Sequence, residues 1–502
     1  MARWLRVLQR EHYDPTALIR FLGRWSSPSK ASAKRHTREH SIRPFTLSHA
    51  LFFVMVGTIL LHNYWCLAVA VVLYGVFCPQ GLAIKGRTSP LEWTRRLRTV
   101  AIVATVIGLV IAALGTLSSQ HYLGAVFVVL AVPLLLDVST RLLHPFEERR
   151  AKAFVKQAAG RLDRIKPRIV AITGSYGKTS TKNHLVELLE GTWGVVASPR
   201  SFNNRAGLSR AINENLADGT KIFIAEMGTY GPGEIRELTS WCVPEIAVVT
   251  AIGPVHLERM KSLEIVARSK FEITERANTV VVNLDDEILR TWLEKLLASG
   301  KRVVTASSVD PSADVRVTVD SAHWTITIHG VNVGTIDEIV GVQPTNVACA
   351  IATALALGVS ERDIASRLSL IRPVANRLNV VSAESGVVVI DDTFNANPAS
   401  AIVALKALSS LPVRGRRVVV TPGLVELGKE QHVENLKLSS RIAAVPAELV
   451  VVARTNVNSL TSSFREPVRR FDTREEAVAW VRSSLVAGDA VLYLNDLPDH
   501  YP

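Results

Sequence analysis

The stretch TGSYGKTST, Thr173–Thr181, constrains this chain more than any other part of it. The apolar run Arg168–Ile172 before it reads as a strand, and Lys182–Leu189 after it reads as a helix. A strand that turns through glycines straight into a helix leaves free backbone N–H groups at the helix N-terminus, where they attract phosphate. Gly174 and Gly177 permit the tight turn, and Lys178 reaches the terminal phosphates. The Thr179 hydroxyl is placed for Mg²⁺, and Ser180 completes the cofactor-binding set. The loop is shorter than the usual phosphate-loop spacing, with Ile172 where a further glycine would stand. This pattern predicts a nucleoside triphosphate site in an α/β domain.

The charge of the chain is unevenly placed. Residues 1–150 hold 18 Lys and Arg against 7 Asp and Glu, a surplus of 11 within a net charge of +13. The remainder of the chain is close to neutral, which argues against nucleic acid as a partner. The four cysteines, Cys66, Cys78, Cys242 and Cys349, form no CxxC pair and suggest neither a metal cluster nor a disulfide framework.

The basic excess accompanies four apolar stretches, about 45–61, 64–83, 100–117 and 122–138, each near the length of a membrane-crossing helix. The gaps HNYW and SSQH contain no Lys or Arg, whereas the 44-residue tail and the 85–98 loop are basic. The expected topology is two helical hairpins with both ends in the cytoplasm, in contact with membrane lipids of the inner membrane. Asp137 and His49 are expected at the interface, so the bundle reads as an anchor rather than a transporter. The charged helical pattern of 141–166 either lies on the membrane surface or links the anchor to the domains beyond it.

From Arg168 onward strands and helices alternate. The expected fold is a membrane-anchored α/β protein, with a mostly parallel sheet around the phosphate loop and a second, Rossmann-like α/β domain. The expected divisions are a tail (1–44), four membrane helices (45–140), a linker helix (141–166), a central domain (167–372) and a C-terminal domain (373–502).

Four further blocks succeed the phosphate loop in order: IAEMGTYGPGEI (224–235), VTAIGPVHLERMKSLEIVARSKFEI (249–273), GVQPTNVACAIATALALG (341–358) and DDTFNANP (391–398). With them the chain from about Lys166 resembles the Mur ligases, ATP-dependent enzymes that join a carboxylate to an amino acid or peptide. The block DDTFNANP resembles the branch that adds D-alanyl-D-alanine in peptidoglycan synthesis. The resemblance implies ATP and Mg²⁺ as cofactors, and assigns catalytic roles to Lys178, Glu226, His256 and Lys270. Thr179, Glu226, His256 and Lys270 would organise metal, with Lys270 carbamylated by CO₂. Asn346 would contact adenine, and Arg377 with Asp391 or Asp392 would close on ribose and phosphate. Asn203 and Asn204 would lie near the carboxylate substrate, and Asp392, Asn395 and Asn397 near the incoming amine. Unaided, the Asn-Asn pair reads as a turn, and Asn395 or Asn397 as a cap for the helix near Pro398.

Three features depart from that family. An apolar region stands where a UDP-gripping domain is usual, Thr345 and Cys349 replace the usual His and Asn, and the ending VLYLNDLPDHYP replaces a basic one. The expectation is a membrane-anchored ligase acting on a lipid-linked or UDP-linked cell-envelope precursor and an amino acid or dipeptide. The alternatives are the ordinary D-alanyl-D-alanine-adding ligase with an unusual N-terminus, and a non-catalytic ATP-binding scaffold.

Overall fold

A computed structural model describes residues 1–10, 13, 18–19, 21, 46–60, 64–77, 91–117, 123–191, 193–199, 202–255, 257–320, 323–339, 341–373, 378–393, 396–465 and 468–495. The chain divides into two compact units, the first running to Arg150 and the second covering Ala151–Asp496.

Every described element of the first unit is helical: Ala2–Arg10, Thr46–Leu60, Tyr64–Phe77, Arg95–Gly115, Leu123–Leu130 and most of Val132–Ile165. The start of the basic tail is not a free arm. Leu5 and Leu8 of the first helix are buried in one cluster with Leu97, Val100 and Leu136. The Gln9 side chain bonds Glu92 in both directions, donating to its carbonyl at 2.9 Å and accepting from its N–H at 3.2 Å. Arg95, Arg96 and Arg98 belong to a helix rather than a loop, because the Thr94 hydroxyl accepts from Leu97 N and caps that helix. Asp137, expected at an interface, is buried at 1% exposure. The hairpin gap SSQH and the first half of HNYW lie outside the described residues.

Among the described residues one helix, Arg95–Gly115, is long and apolar enough to cross a membrane. The number becomes two if Gly124–Leu130 and Val132–Ile165, bent by 77°, form one span. Thr46–Leu60 and Tyr64–Phe77 have 15 and 14 residues. At 1.5 Å per residue they reach only about 22 Å of a roughly 30 Å core. Among the described residues, one or two of the four expected spans therefore meet this test.

The second unit is built on two sheets. The first has the order β2-β3-β1-β4-β5-β6-β7-β8-β9. Its strands are β1 (Arg168–Thr173), β2 (Val195–Ala197), β3 (Ile222–Glu226), β4 (Ile246–Val249), β5 (Thr279–Asn283), β6 (Arg302–Ser307), β7 (Val315–Asp320), β8 (His323–Ile328) and β9 (Val331–Asp337). Strands β2 to β7 run parallel through β1, and β7-β8-β9 form an antiparallel meander. The period-two alternation of β1 sends Val170 and Ile172 to one core and Ile169 and Ala171 to the other.

The second sheet has the order β10-β11-β15-β12-β13-β14 and is parallel except for β10. It comprises β10 (Asn379–Ser382), β11 (Val388–Asp392), β12 (Arg417–Thr421), β13 (Glu448–Val452), β14 (Arg469–Phe471) and β15 (Ala490–Leu494).

Helix Pro344–Ala356 is buried on nearly every side and packs along helix Lys178–Leu189, the helix that opens at the glycine turn. Its alanines and Cys349 permit the close approach, and Ile351 fills the interior at 0% exposure. Truncation to Ile351→Ala should cost about 2–5 kcal/mol. A urea titration of the full chain would register this as an earlier transition of the α/β unit.

Candidate nucleotide and metal site

Strand β1 pairs with β3 along one edge and with β4 along the other. A crevice opens at the C-terminal ends of parallel strands where the connections diverge to opposite sides, so this is the position a ligand would take. Gly177 lies at φ 80° and stands at the N-cap of helix Lys178–Leu189. A β-carbon there would collide with Asn346 Oδ1, and one at Gly174 would meet Thr250 Oγ1. Only glycine fits either place. Lys178 folds back over the turn, its Nζ donating to Gly174 O at 2.6 Å.

The turn is stitched to the segment after β4. Ser175 N donates to Ala251 O at 2.7 Å, and Gly253 N donates to Ser175 Oγ at 2.9 Å. Thr250 Oγ1 donates to Tyr176 O, and the Tyr176 ring leaves no space for a β-carbon at Gly253. The phosphate loop and the segment leading to position 256 thus move together.

Glu226, the last residue of β3, is the polar hub of the crevice, with its side chain 2% exposed. Thr179 Oγ1 donates to Oε2 at 3.0 Å, Lys182 Nζ to Oε2 at 3.1 Å, and Asn203 Nδ2 to Oε1 at 3.1 Å. Its backbone N–H is held by Ser198 Oγ at 3.1 Å. Burial acts to raise the carboxyl, but Lys182, Lys178 and the Asn203 amide outweigh it and hold the group below the usual carboxylate range.

Lys270 sits on helix Leu263–Phe271 at 2% exposure. Burial, and secondarily the Lys178 cation, bring its pKa well below that of an ordinary lysine.

At the ends of β5 and β6 a second polar group forms around Asp285. Its carboxylate accepts from Ser308 N at 2.8 Å, Ser308 Oγ at 2.6 Å and Thr345 Oγ1 at 2.8 Å, and also from Ser307 Oγ. Thr345, the residue at the departed histidine position, therefore completes a hydroxyl shell around this carboxylate. On the second sheet Asp391 accepts from Thr393 N and Oγ1, while Asp392 is buried at 4% exposure. The segment after β12 approaches the crevice: burial and then the Glu434 charge raise the Tyr176 hydroxyl, and burial and then Glu426 raise that of Tyr230.

Two family descriptions match the α/β unit, the Mur ligase middle domain over residues 172–354 and the Mur ligase glutamate ligase domain over residues 376–494. This part of the chain belongs to the Mur ligase family. The chain is 32% identical over 314 residues to the UDP-N-acetylmuramoyl-tripeptide--D-alanyl-D-alanine ligase of Mycobacterium leprae, covering 57% of this chain and 60% of that protein. It thus spans about 60% of the length of the first curated relatives it matches. Crystal structures of MurF from Acinetobacter baumannii and of MurF from Thermotoga maritima in complex with ADP share the fold. Their TM-scores are 0.60 and 0.59, each at 23% identity; both cover 69% of this chain, and 77% and 80% of the solved chains.

Within these Mur ligase domains the structure bonds Thr179 and Asn203 to Glu226, places the Lys178 charge where it acts on that carboxylate, and sets Asn346 against Gly177. Ser180 is half-buried on the same helix. The Asn204 side chain caps helix Arg205–Asn215 by accepting from Gly207 N at 2.9 Å. Asn397 likewise caps helix Pro398–Ser410 in a capping box with Ser400. His256, Arg377 and Asn395 lie outside the described residues. Among the described residues no three His, Cys, Asp or Glu side chains gather as a metal cluster. The hydroxyl of Thr179 and the carboxylate of Glu226 are nevertheless the hard oxygen donors that Mg²⁺ prefers.

Lys182 is not singled out by the sequence, because an isolated helical lysine looks solvated. Its spacing of four from Lys178, which puts both on one helix face, is the available signal.

Two outcomes are expected from this geometry. Gly177→Ala should abolish binding of a non-hydrolysable ATP analogue in calorimetric titration, and adding Asn346→Ala should not restore it, because the left-handed backbone remains. For Lys270 the folded pKa lies below the unfolded value of about 10.4, so the unfolded chain binds the extra proton and stability rises with pH through that window. Lys270→Met in CO₂-free buffer should therefore raise the melting temperature at neutral pH, with a gain that shrinks as pH climbs toward about 10.4.

Proposed function

We propose that this chain is an ATP-dependent ligase that activates a carboxylate of a cell-envelope precursor as an acyl phosphate and joins it to an amine. The observation that carries the reading is the ionised, nearly inaccessible Glu226 held between Thr179, Lys182 and Asn203 at the mouth of the phosphate loop. A carboxylate is costly in such a place unless it serves a cation. Thr179 and Glu226 would hold Mg²⁺, which neutralises phosphate charge when bound. Phosphoryl transfer depends mainly on positioning and charge neutralisation. Lys178 supplies a cation to the terminal phosphates, and the rigid turn presents its N–H groups to them. Asn346 lies where the nucleoside would extend, and the segment bearing Glu426 and Glu434 closes the crevice from the C-terminal domain. Closure keeps water from the acyl phosphate while the amine attacks.

Lys270 deepens this reading. A buried, easily deprotonated amine is the form that adds CO₂, and the resulting carbamate exchanges a cation for an anion beside the Lys178 side. Solution ¹³C NMR with labelled bicarbonate should show a carbamate resonance that Lys270→Arg lacks.

The remaining assignments rest on the same proposal. The first unit acts as a membrane anchor, with the Mur ligase domains, divided near residue 372, on the cytoplasmic face of the inner membrane. Exposed Phe53, Trp65, Val72, Ile102, Leu109 and Leu114 on its helices support contact with lipid. A second reading, addition of D-alanyl-D-alanine to a UDP-linked muramoyl tripeptide, is favoured by the names of the relatives and by the block DDTFNANP.

Phosphate release by the detergent-solubilised chain with ATP, Mg²⁺ and bicarbonate tests the proposal, with Lys178→Ala as blank. Release dependent on a lipid-linked precursor plus an amine supports the anchored ligase. Release dependent on UDP-muramoyl tripeptide plus D-alanyl-D-alanine supports the second reading. Absence of release above the blank with every pair counts against both.

A further inference from the structure

The charge balance of the crevice gives Lys182 a specific role. Its ammonium is 3% exposed and donates to Glu226 Oε2 at 3.1 Å and to Ser198 O at 2.9 Å. The oxygen it occupies is the one that also accepts from Thr179, so ammonium and metal would compete for the same carboxylate edge. Without nucleotide, a divalent ion entering here would add two positive charges to a carboxylate that Lys182 and Lys178 already face. A bound triphosphate reverses that balance, because it brings more negative charge than the metal cancels.

We infer that Lys182 is a positioning residue that keeps Glu226 formed and occupied in the empty enzyme, so that a divalent cation binds tightly only together with a nucleotide. This rests on the proposed metal role of Glu226. Lys182 need not leave the site when the triphosphate arrives; it gives up one lone pair of Oε2 and keeps Ser198 O as its second acceptor. A purely structural lysine would instead affect folding alone and leave the order of metal and nucleotide untouched.

The test is Mn²⁺ binding to the full detergent-solubilised chain, read from the free-ion electron paramagnetic resonance signal with and without a non-hydrolysable ATP analogue. Lys182→Met should tighten Mn²⁺ binding without nucleotide by roughly tenfold or more, with a much smaller change when the analogue is present. Lys182→Gln, which keeps a donor toward Ser198 O and Glu226 without the charge, guards against a Met variant that fails to fold and should tighten binding likewise. Lys182→Arg should behave as the wild type. Nucleotide-free affinity in the Met and Gln variants no tighter than in the wild type overturns the inference and leaves the metal site standing. Unaltered Mn²⁺ binding in Glu226→Gln overturns the metal reading beneath it and the inference with it.

Discussion

The central strand β1 hydrogen-bonds to strands that reach it from opposite directions, and the rest of the α/β unit is arranged around that fact. Crossovers on the two sides cannot both cover its C-terminal end, so a crevice remains there. Polar groups of the first sheet gather at these strand ends: buried Glu226 at the end of β3, buried Thr250 after β4, half-buried Asp285 after β5 and buried Ser307 at the end of β6. The apolar side chains of the strands fill the two cores that flank the sheet.

Buried charge in the crevice is handled in two opposite ways. Glu226 is surrounded by donors and stays ionised, whereas Lys270 has burial and another cation acting on it and tends to lose its proton. The contrast arises because a carboxylate can gather N–H and O–H groups from several elements at once. For the Lys270 ammonium, burial is the larger influence and the Lys178 cation adds to it. The two groups therefore differ in character, one held as an anion and the other with its ammonium form disfavoured.

Much of the α/β unit was legible in the sequence. The strand–glycine–helix succession at 168–189 forecast the tight glycine turn that joins β1 to the helix after it. The alternation of β1 and the unbroken apolar run of β3 forecast strands covered on both faces. What the linear pattern could not carry was partnership at a distance. Lys182 and Glu226 are 44 positions apart, and nothing local separates a lysine that meets a carboxylate from one that meets water. Asn204 and Asn397 show the reverse case, where each side-chain oxygen accepts from an N–H only a few positions away.

In the helical unit the sequence determined composition and the structure determined depth. Apolar runs dictate helices, and they formed, but length and bending decide how many of the described ones could span a bilayer, and the fold buries Asp137 among them. For the α/β unit, the sequence alone determined the phosphate turn, the order of elements and the family, because each depends on contacts within a few residues or on motifs kept in sequence order. Only the tertiary structure decided which cation serves Glu226, which hydroxyls surround Asp285 and which asparagines are caps. Those outcomes depend on which strand ends lie side by side, and that is set by the pairing of the whole sheet.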